Sequence, residues 1–443
     1  MACSVARSSL LRSSTVRHYV AAAAAQPLVA TAPECQVLGN KVTVATCDNN
    51  SPISQVSIVF RAGSRNETYD TQGVTHHLRI AAGLSTASAS GFIITRNIQQ
   101  AGGILTATVD RESIAYTLQV IRDNLPDALQ FLEYVATKQV FKPWEVSDEL
   151  SRLQYELSTL PNIVILLEQL HKAAYHTGLG HSLYSPKRQL GKIGSETLQH
   201  FVNKWFTGPK CAVVGTGVSL SELTALANNL SIGTEDCAIE PSRYYGGEIR
   251  KERASDLASV AVAVEGVSLK NEKDALACAV LQRASGAGPR IKWGCSPSPL
   301  QKELLKIAGS DPFAISSLNA SYSDSGLFGF IICSAPNIAG NLTKAAFKWL
   351  RTLKLSDSDI ARGKTILKAD ILNDADNGAA VLESLQCQAL LKGKVSSVAS
   401  LIADVENVSA SDVTSVAAKL VNGKLSMAAI GDLNTVPYID QLK

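Results

Sequence analysis

"IGSETLQHFVNKWFTGPKCAVVG" (residues 193–215) and "VSASDVTSVAAKLVNGKLSMAAIG" (residues 408–431) follow one plan. Each opens on a Ser/Asp/Glu-containing helix start, runs on as an amphipathic helix, turns at a glycine and closes on a short apolar strand ending in glycine. Lys204, Gly208, Lys210 and Gly215 of the first stretch correspond to Lys419, Gly423, Lys424 and Gly431 of the second. A single helix–strand match of this kind is commonplace. Long helical patterns precede both copies, "EVSDELSRLQYELS" (145–158) and "DIARGKTILKADIL" (359–372), and that context makes the match a repeat. The chain therefore divides into 35–230 and 246–443, with 231–245 as a linker. No short period is present, so this is a tandem duplication rather than a repeat array.

Working outward through the first half, "KVTVATC" (41–47) and "QVSIVFRAG" (55–63) alternate as strands do, and helical patterns cover 71–83 and 90–101. After the Gly102-Gly103 turn, "ILTATVD" (104–110) and "ESIAYTLQV" (112–120) form a hairpin of strands. Helical patterns follow over 123–138, 144–158 and 162–175. A sheet with helices grouped after it is an α+β plan, here present twice.

With 46% hydrophobic and 18% charged residues over 443 positions, the chain buries a sizeable core, and its few aromatics make that core aliphatic. The first 33 residues differ. They hold Arg7, Arg12 and Arg17, many serines, and no acid before Glu34. That pattern predicts a mitochondrial transit peptide over 1–19, with Arg17 three positions before a cleavage after Tyr19; a disordered Ala/Ser-rich tail is the plainer alternative. A secretory signal fits worse, because arginines interrupt the apolar stretches.

Removing residues 1–19 takes three arginines from 42 basic groups and leaves 39 against 39 acids. A neutral surface gives no basis for nucleic-acid binding. Nine scattered cysteines with no CxxC pair indicate a reducing compartment. No apolar run reaches the roughly 18 residues of a membrane span, so membrane association comes through a partner. There is no CxxCH, no cluster-type cysteine spacing and no dinucleotide fingerprint, and no cofactor is expected.

The histidines of "GVTHHLRIAAGLST" (73–86) raise the question of a metal. On a helix, residues four apart share a face, so HxxEH or HExxH presents two imidazoles and an activating acid to one ion. Counted from His76, the acid position is Arg79 and the second ligand position is Ile80. An arginine about 5 Å from a dication costs roughly 6–7 kcal/mol at an effective dielectric of 20, four to five decades of affinity. His77 points about 100° away from its neighbour. His171, His176 and His181, spaced by five, also spread around a helix. No catalytic or metal-binding residue is expected. His76 reads as a hydrogen-bonded packing residue and His77 as an exposed or boundary one.

"GVTHHLRIAAGLST" nevertheless resembles the GxxHxxEH helix of the pitrilysin and mitochondrial processing peptidase family, and "IQQAGGILTATVDRESIAYTLQV" (98–120) resembles the segment after it. The resemblance implies a third ligand position about seventy-five residues later, near Gln154 with Glu156 close by, and hence a degenerate motif at His76, Arg79, Ile80 and Gln154. "YYGGEIR" (244–250), "GAGPRIKWG" (286–294), "NASYSDSGLFGF" (319–330) and the ending "SMAAIGDLNTVPYIDQL" are similar to the respiratory core-subunit branch of that family. That branch implies a non-catalytic subunit of ubiquinol–cytochrome c reductase on the matrix side of the mitochondrial inner membrane. Its implied partners are core protein 1, cytochrome b, cytochrome c1, the iron–sulfur subunit and small subunits.

Two motifs invite weighing. "RASGAGPRIKWG" (283–294) lacks the Gly-Lys-Ser/Thr of a P-loop and reads as a turn between helices. "NASYSDSGLFGF" reads as a turn, Ser323 to Gly326, before a strand ending in aromatics, used for packing or an interface. Two other functions compete: a presequence-recognising, non-catalytic subunit of a processing peptidase, and an active peptidase with an unorthodox site. Changing Arg79 to Glu and Ile80 to His is not expected to yield a peptidase, because the third ligand is doubtful.

Overall fold

The computed structural model describes residues 32–288 and 298–442; the transit-peptide reading and the second half of "RASGAGPRIKWG", from residue 289 on, fall outside them. The first half contains β1 (Glu34–Val37), β2 (Thr43–Cys47), β3 (Ile53–Phe60), α1 (Val74–Ile80), α2 (Gly91–Gln100), β4 (Ile104–Val109) and β5 (Ile114–Ile121). It continues with α3 (Leu125–Thr137), α4 (Pro143–Asp148), α5 (Leu150–Thr159), α6 (Asn162–Tyr175), α7 (Ser195–Trp205), β6 (Cys211–Thr216) and α8 (Leu220–Asn229). The second half contains β7 (Gly247–Glu252), β8 (Ala258–Glu265), α9 (Glu272–Ser285), α10 (Pro299–Ala308), β9 (Phe313–Ser321) and β10 (Gly326–Ser334). Then come α11 (Pro336–Thr352), α12 (Asp357–Ala375), α13 (Gly378–Lys392), α14 (Val398–Asn407), α15 (Ala410–Val421) and β11 (Leu425–Gly431).

The duplication is visible in the sheets. Strand order is β1-β2-β6-β3-β5-β4 in the first and β7-β11-β8-β10-β9 in the second, the same order once the extra edge strand β1 is set aside. The one parallel pair is also shared, β2 with β6 and β7 with β11. The two quoted repeats supply the equivalent pairs α7–β6 and α15–β11, and each strand lies inside its sheet.

Both faces of each sheet are covered, and the sequence shows how. In β8, Val260, Val262 and Val264 point into a core built with α9, α10 and α11 from the same half. The alternate residues Ala261 and Ala263 point the other way, where Leu166, Leu170, Ala174 and Tyr175 of α6 pack on them. Small side chains let the helix axis come close to the sheet, which large ones would forbid. The first sheet repeats the arrangement: Ala45, Ala212 and Val214 receive Leu382, Leu385 and Ala389 of α13. Each half thus covers one face of its sheet with a helix from the other. Packing therefore crosses twice between the part of the chain before the linker and the part after it.

Polar groups seal the junction. Arg65, on the turn after β3, places Nη1 at 2.6 Å from Glu112 Oε1 and 2.9 Å from Asp324 Oδ1. Its Nη2 donates to Glu240 O at 2.8 Å and also to Asp324 Oδ2. Glu112 accepts in turn from Ser323 N at 2.8 Å. "NASYSDSGLFGF" therefore does both of the tasks its sequence suggested: Ser323 and Asp324 form the interface turn, while Phe328 and Phe330 are fully buried core residues. Glu240 belongs to the linker, which also threads the junction. Tyr245 N donates to Ala174 O at 2.8 Å, and Tyr244 OH to Lys424 O at 2.8 Å.

His171 of α6 is one of these junction groups. Leu167 O lies 2.8 Å from Nδ1, which must carry the proton, so Nε2 accepts from Tyr322 OH at 2.7 Å. Burial first, and the Arg111 charge second, push this imidazole down to about 3. The unfolded ring titrates near 6.5. A depressed folded pKa means that the contribution is complete above the unfolded value and is lost as pH falls from there toward the folded one. His171→Gln should therefore flatten the acid limb of the stability curve by about one proton, or about 1.4 kcal/mol per pH unit between about pH 5.5 and 4. Urea unfolding of both proteins across that range measures it, and parallel curves would contradict it.

Candidate functional site

Helix α1 is only seven residues long, so outside contacts must hold it. Glu67 caps its start: Oε2 accepts from Gly73 N at 2.8 Å, and Oε1 from Thr75 N at 2.9 Å and Thr75 Oγ1 at 2.7 Å. Burial raises the Glu67 carboxyl to about 7 despite these bonds. Gly73 sits at φ +96°, and a Cβ there would lie 2.5 Å from Ser185 Oγ. Glycine is required on both counts, conformation and space.

That close approach of Ser185 determines what His76 can do. Ser185 N donates to His76 Nδ1 at 3.2 Å, so Nδ1 is the unprotonated nitrogen. Nε2 then carries the hydrogen and donates to Glu156 Oε2 at 3.1 Å. Both ring nitrogens are committed, and no lone pair is left for a metal. Burial drives the ring down to about 4, with the Glu156 bond opposing and the Arg79 charge assisting, so His76 is neutral at pH 7. Tyr184 packs its ring edge against it, with centroids 5.5 Å apart.

Glu156 is the residue on which the site converges. The same Oε2 that accepts from His76 is ion-paired to Arg79 Nη2. Burial alone would raise this carboxyl, but the bonds from His76 and Arg79 outweigh it and hold Glu156 below the ordinary carboxylate range. A guanidinium thus supplies the positive charge that a bound cation would bring. Ile80, four residues after His76, is 2% exposed and offers no donor atom. A zinc ion of the family type does not fit these residues, since the acid is replaced by a cation, the second ligand by a hydrocarbon, and the remaining imidazole is engaged at both nitrogens. A small solvent-open cavity of 260 Å³ adjoins Arg79, Glu156 and Tyr184. Among the described residues no group of three or more His, Cys, Asp or Glu is arranged to hold a metal ion.

Two expectations need correcting. Gln154 is exposed, whereas Glu156 bonds to His76 and Arg79 of α1. The reason is helical geometry: α5 buries Leu153 alone, and Glu156 lies three residues on along the same face, while Gln154 is one residue and about 100° away. His77 is buried, not exposed or at a boundary. Its Nδ1 lies 2.8 Å from Gly73 O, and that bond satisfies the ring inside the protein. His171, His176 and His181 do not converge; His171 serves the junction, and His176 stacks on Tyr245 at 4.9 Å between centroids.

Because Glu156 bonds to His76, a sharper result is expected. Arg79→Glu with Ile80→His removes the charge whose repulsion of a dication is worth roughly 6–7 kcal/mol and creates a second imidazole facing Glu156. The double variant should take up one zinc ion where the parent takes up none, with His76 passing its hydrogen to Nδ1 and swinging off Ser185 N so that Nε2 is freed, read by metal analysis after dialysis. A double variant that stays metal-free would show that α1 cannot bring the three groups together.

Comparison with known proteins places this geometry. Residues 43–187 match the family described as Insulinase (Peptidase family M16), and residues 192–367 match Peptidase M16 inactive domain. The chain belongs to the M16 peptidase family. It is 37% identical over 413 residues to cytochrome b-c1 complex subunit 2, mitochondrial, of Rattus norvegicus, and 35% identical over 413 residues to that of Homo sapiens, covering 91% of each chain in both cases. A probable mitochondrial-processing peptidase subunit alpha-1 of Arabidopsis thaliana is 27% identical over 419 residues, 91% of this chain and 83% of that protein.

Proposed function

We propose that this chain is core protein 2 of the mitochondrial ubiquinol–cytochrome c reductase, respiratory complex III, a non-catalytic subunit needed for assembly and stability of the complex dimer. In this reading it sits on the matrix side of the inner membrane, pairs with core protein 1, and supports cytochrome b, cytochrome c1, the iron–sulfur subunit and the small subunits. The observation that carries it is the state of the motif helix in a chain that is otherwise family-like throughout: Arg79, not a metal, holds Glu156, and His76 is saturated by Ser185 and Glu156. The balance of identity, 35–37% to complex III subunits against 27% to the processing peptidase alpha subunit, favours this over the presequence-recognising alternative. Among the described residues no helix is long and apolar enough to cross a membrane, which suits a subunit attached through its partners.

The test is purification of the endogenous protein from mitochondria in mild detergent, measuring co-migrating subunits and zinc in one sample. Co-migration with cytochromes b and c1 without stoichiometric zinc on this chain is expected. Migration with a zinc-bearing peptidase subunit and no haem proteins would overturn the proposal.

A further inference from the structure

Helices α10 and α11 pack side by side and leave a groove of 550 Å³ between them. Its apolar strip consists of Pro299, Ile307, Ala345 and the edge of Trp349, with Ile307 47% exposed. Lys302, Lys348 and Lys354 stand around that strip, all exposed. The two acids on the groove are already engaged: Lys306 pairs with Glu303 at 2.7 Å, and Arg362 with Asp359 at 2.6 Å. Among the described residues none of the three lysine ammonium groups has an ion-pair or hydrogen-bond partner. In a chain whose net charge is only +3, one concavity therefore combines uncompensated cations with exposed hydrocarbon, far in sequence from the motif helix and unused by the junction between the halves.

We propose that this groove docks an acidic amphipathic segment of a neighbouring polypeptide in the assembled complex, with its apolar side chains on Trp349 and Ile307 and its carboxylates on Lys302, Lys348 and Lys354. The inference rests on the assembly role proposed above. A furrow between two helices matches an amphipathic helix or strand laid along it; Ile307, 47% exposed, offers the apolar contact, and Trp349, 8% exposed, forms the floor. The lysines fix register and partner choice. A bilayer is less suited to this site, because surface-seeking segments present their cations on a protruding apolar face rather than around a recess.

The experiment uses the intact complex purified from mitochondria. Carbodiimide coupling, which joins an ammonium directly to a touching carboxylate, should link at least one of Lys302, Lys348 and Lys354 to an Asp or Glu of another subunit. Amine acetylation of these lysines should fall about tenfold between the dissociated chain and the complex. The triple variant K302E/K348E/K354E should lose the cross-link and reduce retention of that subunit about tenfold, while the isolated variant melts at the parental temperature because these positions are exposed. Full acetylation of the three lysines in a complex that still carries its cytochromes overturns the groove and leaves the assembly role standing. Protection that disappears on delipidation, without any cross-link, assigns the groove to anionic lipid and also overturns it. A chain that purifies without haem-bearing subunits refutes the complex III reading, and the same labelling on the assembly it does occupy still decides the groove.

Discussion

Replacing Arg65 with methionine should lower the unfolding free energy by about 3–5 kcal/mol, because it strands two carboxylates that among the described residues only this guanidinium pairs. The Arg65 side chain is 4% exposed, Glu112 8% and Asp324 13%, so water cannot take over. Burial by itself raises the Asp324 carboxyl, and the bonds from Arg65 and Ser242 N bring it below its usual range. Without Arg65, burial prevails. The orphaned Asp324 carboxyl then has a folded pKa above its unfolded one, the folded variant binds the extra proton, and stability returns as pH falls. Chemical denaturation at pH 7 and pH 5 measures both the loss and its partial recovery. A variant within about 1 kcal/mol of the parent at pH 7 would show that the cluster contributes no more than a surface ion pair.

Phe330→Ala should cost about 3–5 kcal/mol, toward the upper end, from loss of buried hydrocarbon and from the cavity left behind. The residue is fully buried on β10, whose neighbours β8 and β9 hold it in register opposite Val262 and Ser317. A strand bonded on both sides cannot sink into the gap, and helices α9 and α11 are fixed by their own contacts. The midpoint of urea unfolding should fall with little change in slope. Phe330→Leu, which refills most of the space, should recover the larger part of the loss. Equal costs for the two substitutions would argue against a tightly packed site.

Much of this architecture is legible in the chain. Strands and helices announce themselves by period, and α6 occupies the 162–175 interval that its apolar spacing predicts. The repeated helix–glycine–strand unit predicts two equivalent sheets, and their common strand order follows from it. The exchange of α6 and α13 is not legible, because an apolar helix face states that something covers it without stating which sheet. The Val/Ala alternation of β8 carries half of the answer, since it marks a sheet buried on two unlike faces. At the motif, Arg79 and Ile80 alone show a cation and a hydrocarbon at the positions where the resemblance places an acid and a second ligand. The stretch read as one helix over 144–158 divides at Glu149 into α4 and α5, and Glu156 lies on α5. The register near Gln154 comes from the resemblance as an approximate residue count, whereas the face shared with buried Leu153 points to Glu156. His76 Nδ1 is satisfied by Ser185, 109 positions away, and no local pattern contains that pairing.

The crossed helices also set an order of events for a chain made, or threaded through a membrane, from its N-terminus. The first sheet holds all its strands once residue 216 has appeared, yet one face stays bare until α13 arrives at 378–392. The second sheet waits still longer, since β11 at 425–431 lies inside it between β7 and β8. Neither half can mature ahead of the other, and almost the entire polypeptide must be present before either hides its apolar surface. Long-range contacts of this kind fold slowly and expose sticky intermediates while they do so. A newly delivered molecule should therefore depend on chaperones for most of its delivery time, and a chain cut short even a few residues before 431 should be cleared as unfolded rather than survive as a usable half.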